Sequence, residues 1–252
     1  MSYSEFKNVC SSQIDAQGQD RALEEATRAW FTLANGFGYS YHFESFGRPL
    51  IQYPQDIVQF QELISSTFPS LIIETGIAHG GSLVQSAAML CLLDVIDGLD
   101  PRKSPRKVVG VDIDIRKHNR EALDEHPLRF KMDLIEGSSI DPDIIQEVHQ
   151  YAENYDKVLV SLDSNHTHDH VLAELNAYAG LVSVGSYCVV FDTVIEDLPV
   201  GSFPDRPWDV GNNPKTAVQE WLQSNKNFKI DRTIDHKLLI SVAPHGYLKR
   251  IS

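Results

Sequence analysis

Cysteine is scarce in this chain. Cys10, Cys91 and Cys188 are its only three, and none sits at disulfide or zinc-ligand spacing from another. That excludes a disulfide framework and a cysteine-built metal site. Positive charge is also scarce, with 22 Lys and Arg against 35 Asp and Glu and a net charge of -13. Binding to a phosphate backbone or an anionic membrane rests on clustered Lys and Arg, so neither partner is expected. Long apolar runs are missing. The best, Ala87 to Ile96, is too short to span a bilayer and is broken by Asp94. The opening MSYSEFKNVC lacks the apolar core of a signal peptide, so a cytoplasmic protein is expected.

What remains is a hydrophobic fraction of 42% over 252 residues, within reach of one α/β core. RALEEATRAWFTLANG reads as a helix, and YSYHFESFGRPLIQYPQD as an ordered, aromatic-rich loop. From Ser70 onward, short apolar runs alternate with amphipathic segments. SLIIETG, KVVGVDID, RFKMDLIEG, KVLVSLD, SYCVVFDT, FKIDR and KLLISVAP read as strands. SLVQSAAMLCLLDVI, RKHNREALDEH, DPDIIQEVHQYAENY, HDHVLAELNAYAG and a stretch near Ala217 to Gln223 read as helices. This alternation predicts a mostly parallel sheet with helices on both faces.

Ligands of such sheets bind beyond the carboxyl ends of the strands. Those ends carry Glu74, Asp112, Asp133 to Ser139, Asp163 and Asp192. The first turn, Glu74 to Ser82, contains Gly76, Gly80 and Gly81, which permit close backbone approach. Its acidic residue suits a ligand with a cationic amino group better than a pyrophosphate; an ordinary tight turn reads equally well. Asp112 is placed to hold ribose hydroxyls or, alternatively, to cap the next helix. Ser138 and Ser139 stand either around an adenine or in a capping turn. Asp163 and Asp192 end adjacent strands, where paired carboxylates suit Mg²⁺ or Mn²⁺ or, alternatively, serve only as helix caps. Three histidines follow, at 166, 168 and 170. The H-x-H-x-D-H hydrolase motif would need one more residue, so His168 and His170 are expected on a first helical turn, one outward and one packed.

At these residues the chain resembles the cephalosporin hydroxylase and rhamnosyl O-methyltransferase family, within class I methyltransferases. The likeness runs from Tyr39 to Arg250 through IIETGIAHGGS, GVDIDIR, LDSNHTHDHVLAEL, VVFDT, GNNPKTAVQEWL and HGYLKR. It implies a Rossmann-like, seven-stranded domain over residues 56–252, preceded by an extension, 1–55, that covers the active site. It implies S-adenosylmethionine on Glu74, Gly76, Gly80, Gly81, Ser82, Asp112, Ser138, Ser139 and Asp163. It implies a divalent cation on Asp163 and Asp192, and a homo-oligomer. Relatives often carry Glu-Asp where this chain has Phe191-Asp192, which leaves Thr193, Glu196 or a water as third ligand. His166 stands where related catechol enzymes carry a catalytic lysine. The expected activity is methyl transfer to a hydroxyl of a small molecule, a deoxysugar or glycosylated product before a phenol. Asp163 and His166 are the catalytic candidates, with Trp208, Phe43 and Phe46 as stacking faces or plain packing. The rivals are a nucleotide oxidoreductase and a non-catalytic S-adenosylmethionine-binding partner protein.

Overall fold

The computed structural model describes every residue from Met1 to Ser252. Helix α1 (Tyr3–Gln17) opens on a capping box, in which the Ser2 hydroxyl accepts from Glu5 N and the Glu5 side chain accepts from Ser2 N. Helix α2 (Arg21–Asn35) is capped by Asp20 and buries only Phe31. A short turn of 3₁₀ helix then leads into the hairpin β1 (Phe43–Ser45) and β2 (Arg48–Leu50), followed by α3 (Pro54–Thr67).

The regular alternation begins with β3 (Leu71–Thr75), α4 (Gly81–Ile96), β4 (Lys107–Asp112) and α5 (Lys117–Asp124). It continues through β5 (Met132–Glu136), α6 (Pro142–Ala152), β6 (Val158–Leu162), α7 (His168–Tyr178) and β7 (Tyr187–Val190). The chain closes with α8 (Pro214–Ser224), β8 (Phe228–Ile230), α9 (Arg232–Leu238) and β9 (Tyr247–Arg250). The main sheet has seven strands in the order β5-β4-β3-β6-β7-β9-β8. Its first five strands run parallel, and β9 is antiparallel to both β7 and β8. Strands β3, β6 and β7 are buried along their whole lengths, as a sheet covered on both faces requires. Clusters of 27 and 22 buried residues fill those two faces. The order of the strands reverses between β3 and β6, and a crevice opens at such a switch point.

The expected architecture is borne out, with one strand misplaced. KLLISVAP does not form a strand. Asp231 caps α9 by accepting from Thr233 N, and the apolar residues beyond that helix are buried by packing against α3 instead. The last sheet strand comes from Tyr247–Arg250. Helix α1, the hairpin and α3 were not expected, and the 55/56 boundary falls inside the first turn of α3. No helix is long and apolar enough to cross a membrane.

Asp56 on α3 holds that packing. It is 1% exposed and accepts from Ser241 Oγ at 2.6 Å, Val242 N at 2.9 Å and Tyr247 Oη at 2.8 Å. Asp56→Ala leaves those three donors buried without an acceptor. At about 1–3 kcal/mol for each orphaned group, a loss of at least about 3 kcal/mol is expected in urea unfolding.

Candidate functional site

The site lies at the switch point, where the ends of β3, β4, β6 and β7 meet segments brought from the N-terminal region. After β3 the chain must turn against the end of β6. Gly76 has φ +86, and a Cβ there would lie 2.0 Å from the Asp163 carbonyl oxygen. A Cβ on Gly81 would lie 2.2 Å from the Pro49 carbonyl of the hairpin. Gly80 packs against Leu123 and lines none of the cavities of the site. These glycines are therefore required by the protein's own packing, whatever ligand the turn receives.

The hairpin is fastened to that turn. Arg48 donates from Nε to the His79 carbonyl at 2.8 Å and from its guanidinium to Asn119 Oδ1 at 2.7 Å. Ser45 Oγ donates to Gln85 Oε1 on α4 at 2.7 Å. Above the turn opens a cavity of about 530 Å³, lined by Gly76, Gly81 and Ser82 of the turn and by Asp163, His166 and Asp192. Phe31, Tyr41, Gln52 and Tyr53 close it from the N-terminal side, and Leu198, Arg206 and Trp208 from the opposite side. A second cavity, about 340 Å³, shares Gly76, Asp163 and Trp208 and is lined further by Asp112, Ser138, Ser139 and His170.

Asp112 caps no helix. Its Oδ2 accepts from Ile77 N at 2.8 Å and Ala78 N at 3.2 Å, so it braces the turn while facing the second cavity. Glu74 stands behind the turn rather than in the large cavity. It is 1% exposed, accepts from Ser82 Oγ at 2.6 Å, and its other oxygen has no partner. Burial, opposed by the Ser82 hydrogen bond and aided by the Asp112 charge, pushes its carboxyl up to about 7.

Asp163, His166 and Asp192 come together, with one ligand atom from each lying within 4.8 Å of the others. His166 Nε2 is 3.0 Å from Asp192 Oδ2, and its ring meets the Trp208 ring edge-on with centroids 4.6 Å apart. Asp192 occupies the left-handed region at φ 56, a conformation that costs a non-glycine residue energy and is retained where surroundings impose it. Burial and the neighbouring charges of Asp192 and Glu74 raise the Asp163 carboxyl well above its usual range. Two half-buried carboxylates with an imidazole beside them suit a divalent cation.

Thr193 is not among these donors. It is fully buried, and its hydroxyl donates to the Pro244 carbonyl at 2.8 Å. Glu196 is committed to Gly211 N and Asn213 Nδ2. Phe191 turns into the core against Phe60, at 6.2 Å between centroids. The third donor in the cluster is the His166 nitrogen. His168 and His170 are both partnered, so neither points outward. His168 bridges Thr216 and Glu220, and His170 lies 3.1 Å from Ser139 Oγ and 3.0 Å from Ser164 Oγ. Phe46 is an exposed hairpin tip away from the cavities, whereas Trp208 lines both. Gln52 escaped the sequence reading. Its Nε2 donates to Asp163 Oδ2 at 3.0 Å, and nothing in IQYPQD reveals that its side chain crosses to β6.

The sheet order and the acidic strand ends define a class I methyltransferase architecture. The rhamnosyl O-methyltransferase/CmcI family model matches residues 37–251. The chain belongs to that family of O-methyltransferases. It is 33% identical over 198 residues to the rhamnosyl O-methyltransferase of Mycobacterium bovis (strain BCG / Pasteur 1173P2), covering 77% of this chain and 73% of that protein. The rhamnosyl O-methyltransferase of Mycobacterium leprae (strain TN) is 30% identical over 197 residues, covering 77% of each. Among solved structures, CmcI with Mg and SAM superposes with a TM-score of 0.54 at 16% identity, over 84% of this chain and 78% of its own.

The buried Glu74 carboxylate has a measurable signature. A carboxyl raised from 4.5 to about 7 by folding destabilises the folded state only once it ionises. The penalty is absent below pH 4.5, grows through that interval and is complete above about 7. Glu74→Gln should therefore stabilise the cofactor-free protein at pH 8, by at most about 3 kcal/mol, and not at pH 4.5. Thermal unfolding at the two pH values checks this; an equal effect at both would disprove it.

Proposed function

We propose that this protein transfers a methyl group from S-adenosylmethionine to a hydroxyl of a small molecule, with a divalent cation, Mg²⁺ or Mn²⁺, positioning the acceptor. A deoxysugar, free or in a glycosylated product, is the acceptor class, in keeping with the rhamnosyl activity in the names of the two relatives. The observation that carries the proposal is the Asp163–His166–Asp192 cluster at the junction of two cavities. The second cavity, with Asp112, Ser138 and Ser139, suits the ribose and adenine. The turn from Gly76 to Ser82 suits the methionine part, with Glu74 reaching it through Ser82.

When bound, the cofactor supplies an electrophilic methyl carbon and the cation acts as a Lewis acid on the acceptor hydroxyl. Asp163 and Asp192 would hold the cation, and Gln52 holds Asp163 in place. His166, fixed by Asp192 and by the Trp208 edge, would take the hydroxyl proton as the oxygen–carbon bond forms and the carbon–sulfur bond breaks. The N-terminal segment would cover the acceptor. Without it the large cavity would lose the wall built by Phe31, Tyr41, Gln52 and Tyr53. Free cysteines suit a cytoplasmic setting.

Calorimetric titration with S-adenosylhomocysteine, with and without Mg²⁺, tests the site. Micromolar binding is expected, with metal-dependent heat that Asp192→Ala abolishes. His166→Ala should lower turnover by about 10²–10⁴-fold while changing S-adenosylhomocysteine affinity little; unchanged turnover would remove it as the base. A homo-oligomer is supported by α1, which buries none of its residues and exposes Tyr3, Phe6 and Val9. Sedimentation at micromolar concentration should show more than one copy, and a monomer would contradict it.

A further inference from the structure

The wall of the large cavity carries a charge that methyl transfer to a neutral sugar does not use. Arg116 and Arg206 both line it, and neither forms an ion pair or a side-chain hydrogen bond to a protein oxygen. Acids outnumber Lys and Arg by 35 to 22 in this chain, yet the only acids in that wall are Asp163 and Asp192. Both of those face the cation position.

Three acids near Arg206 in sequence are engaged elsewhere, and the adjacent Asp205 is exposed and does not line the cavity. Asp209 accepts from Gly201 N at 2.9 Å and from Val210 N at 2.8 Å. Glu196 accepts from Gly211 N at 2.8 Å, and Asp197 pairs with Lys215 at 2.5 Å. Arg206 instead lies over the Trp208 ring, 5.3 Å from its centroid, and Trp208 in turn touches His166. Stacking of this kind holds a guanidinium while leaving its N–H groups free for an anion. Arg116 stands at the N-terminus of α5, where no side chain caps the first-turn N–H groups. Such an end adds partial positive charge beside the guanidinium.

Charge balance then constrains the acceptor. A divalent cation matches Asp163 and Asp192, while Asp112 and Glu74 lie on the cofactor side, so no acid of the large cavity is left to face either arginine. Both arginines are exposed, and a neutral glycoside would leave them to water alone. We propose that the acceptor is a sugar bearing a phosphoryl group, with the phosphate oxygens held between Arg116 and Arg206 and the sugar hydroxyl directed to His166. This rests on the methyltransferase reading above and adds to it the chemical class of the acceptor. Arginine suits the task because its planar N–H pairs meet phosphate oxygens bidentately. A positive cavity mouth on an acidic protein also draws an anionic acceptor inward.

The test is calorimetry on the intact protein saturated with S-adenosylhomocysteine and Mg²⁺. Three probes are titrated: UDP-glucose, glucose 1-phosphate and methyl α-L-rhamnoside. At least one phosphorylated sugar should bind ten-fold or more tightly than the neutral glycoside, and added salt should weaken it. UDP-glucose alone would identify a diphosphate diester, glucose 1-phosphate alone a terminal phosphate, and equal binding of both the anomeric phosphoryl group they share. Arg116→Gln and Arg206→Gln should each erase most of that preference. Neutral glycoside bound as tightly as both phosphorylated sugars, or a preference unchanged in both variants, would overturn the proposal. Titration with S-adenosylhomocysteine alone reads the underlying site separately. Its failure would strike the cofactor reading, whereas its success with no phosphorylated sugar bound would strike only the acceptor class.

Discussion

The architecture of this site depends on holding two half-buried carboxylates close together at the ends of neighbouring strands. Parallel neighbours β6 and β7 end side by side with Leu162 opposite Val190, so Asp163 follows one directly and Asp192, one residue further on in a left-handed turn, lies beside it. At the 4.8 Å limit of their cluster, two such charges repel by roughly 3–4 kcal/mol at an effective dielectric of 20. The protein does not relieve this with an arginine or lysine. It supplies only an imidazole, one glutamine N–H and a strained backbone at Asp192. Burial and that unrelieved charge together raise the Asp163 carboxyl well above its usual range.

The surrounding packing follows from that constraint. Gln52 must reach Asp163 from the N-terminal side, so the segment before α3 has to cross the end of the sheet. The hairpin secures that crossing through Arg48 and Ser45, and Pro49 comes close enough to α4 to demand glycine at position 81. Asp56, one turn into α3, then ties the same segment to the chain that leads into β9. The N-terminal extension is thus woven into the sheet domain, and a boundary at residue 55 has no packing counterpart.

Much of the site was legible because strand ends are legible. SLIIETG, KVVGVDID, KVLVSLD and SYCVVFDT each finish a buried run with a polar residue, and parallel topology carries those residues to one edge. The His166 position came instead from the resemblance, since related catechol enzymes carry their catalytic lysine three residues beyond the first aspartate. Side-chain direction was not readable. Thr193 is adjacent to Asp192 in sequence, but its hydroxyl is taken by the Pro244 carbonyl. Glu74 ends a strand as expected, yet it faces the space behind the turn. Gln52 acts across 111 residues of sequence separation, which no local pattern encodes. KLLISVAP misled because burial alone raises hydrophobicity, and a loop packed on α3 needs apolar residues as much as a strand does.

Phe191 shows how the departure from the family pattern is accommodated. Its side chain lines a small, mostly apolar space onto which Asp56, Glu74 and Asp163 also border. A glutamate there would add another acid to a group in which burial already raises all three carboxyls. An aromatic ring fills the volume against Phe60 with no such repulsion. A ring there leaves the cluster with two carboxylates and the His166 nitrogen. Two carboxylates attract a hard cation such as Mg²⁺ less strongly than three would. The same substitution that quiets the interior therefore shifts the balance of the site toward its imidazole. In the reading proposed above, it is then the orientation of His166, set by Asp192 on one side and Trp208 on the other, that decides whether the imidazole meets the acceptor.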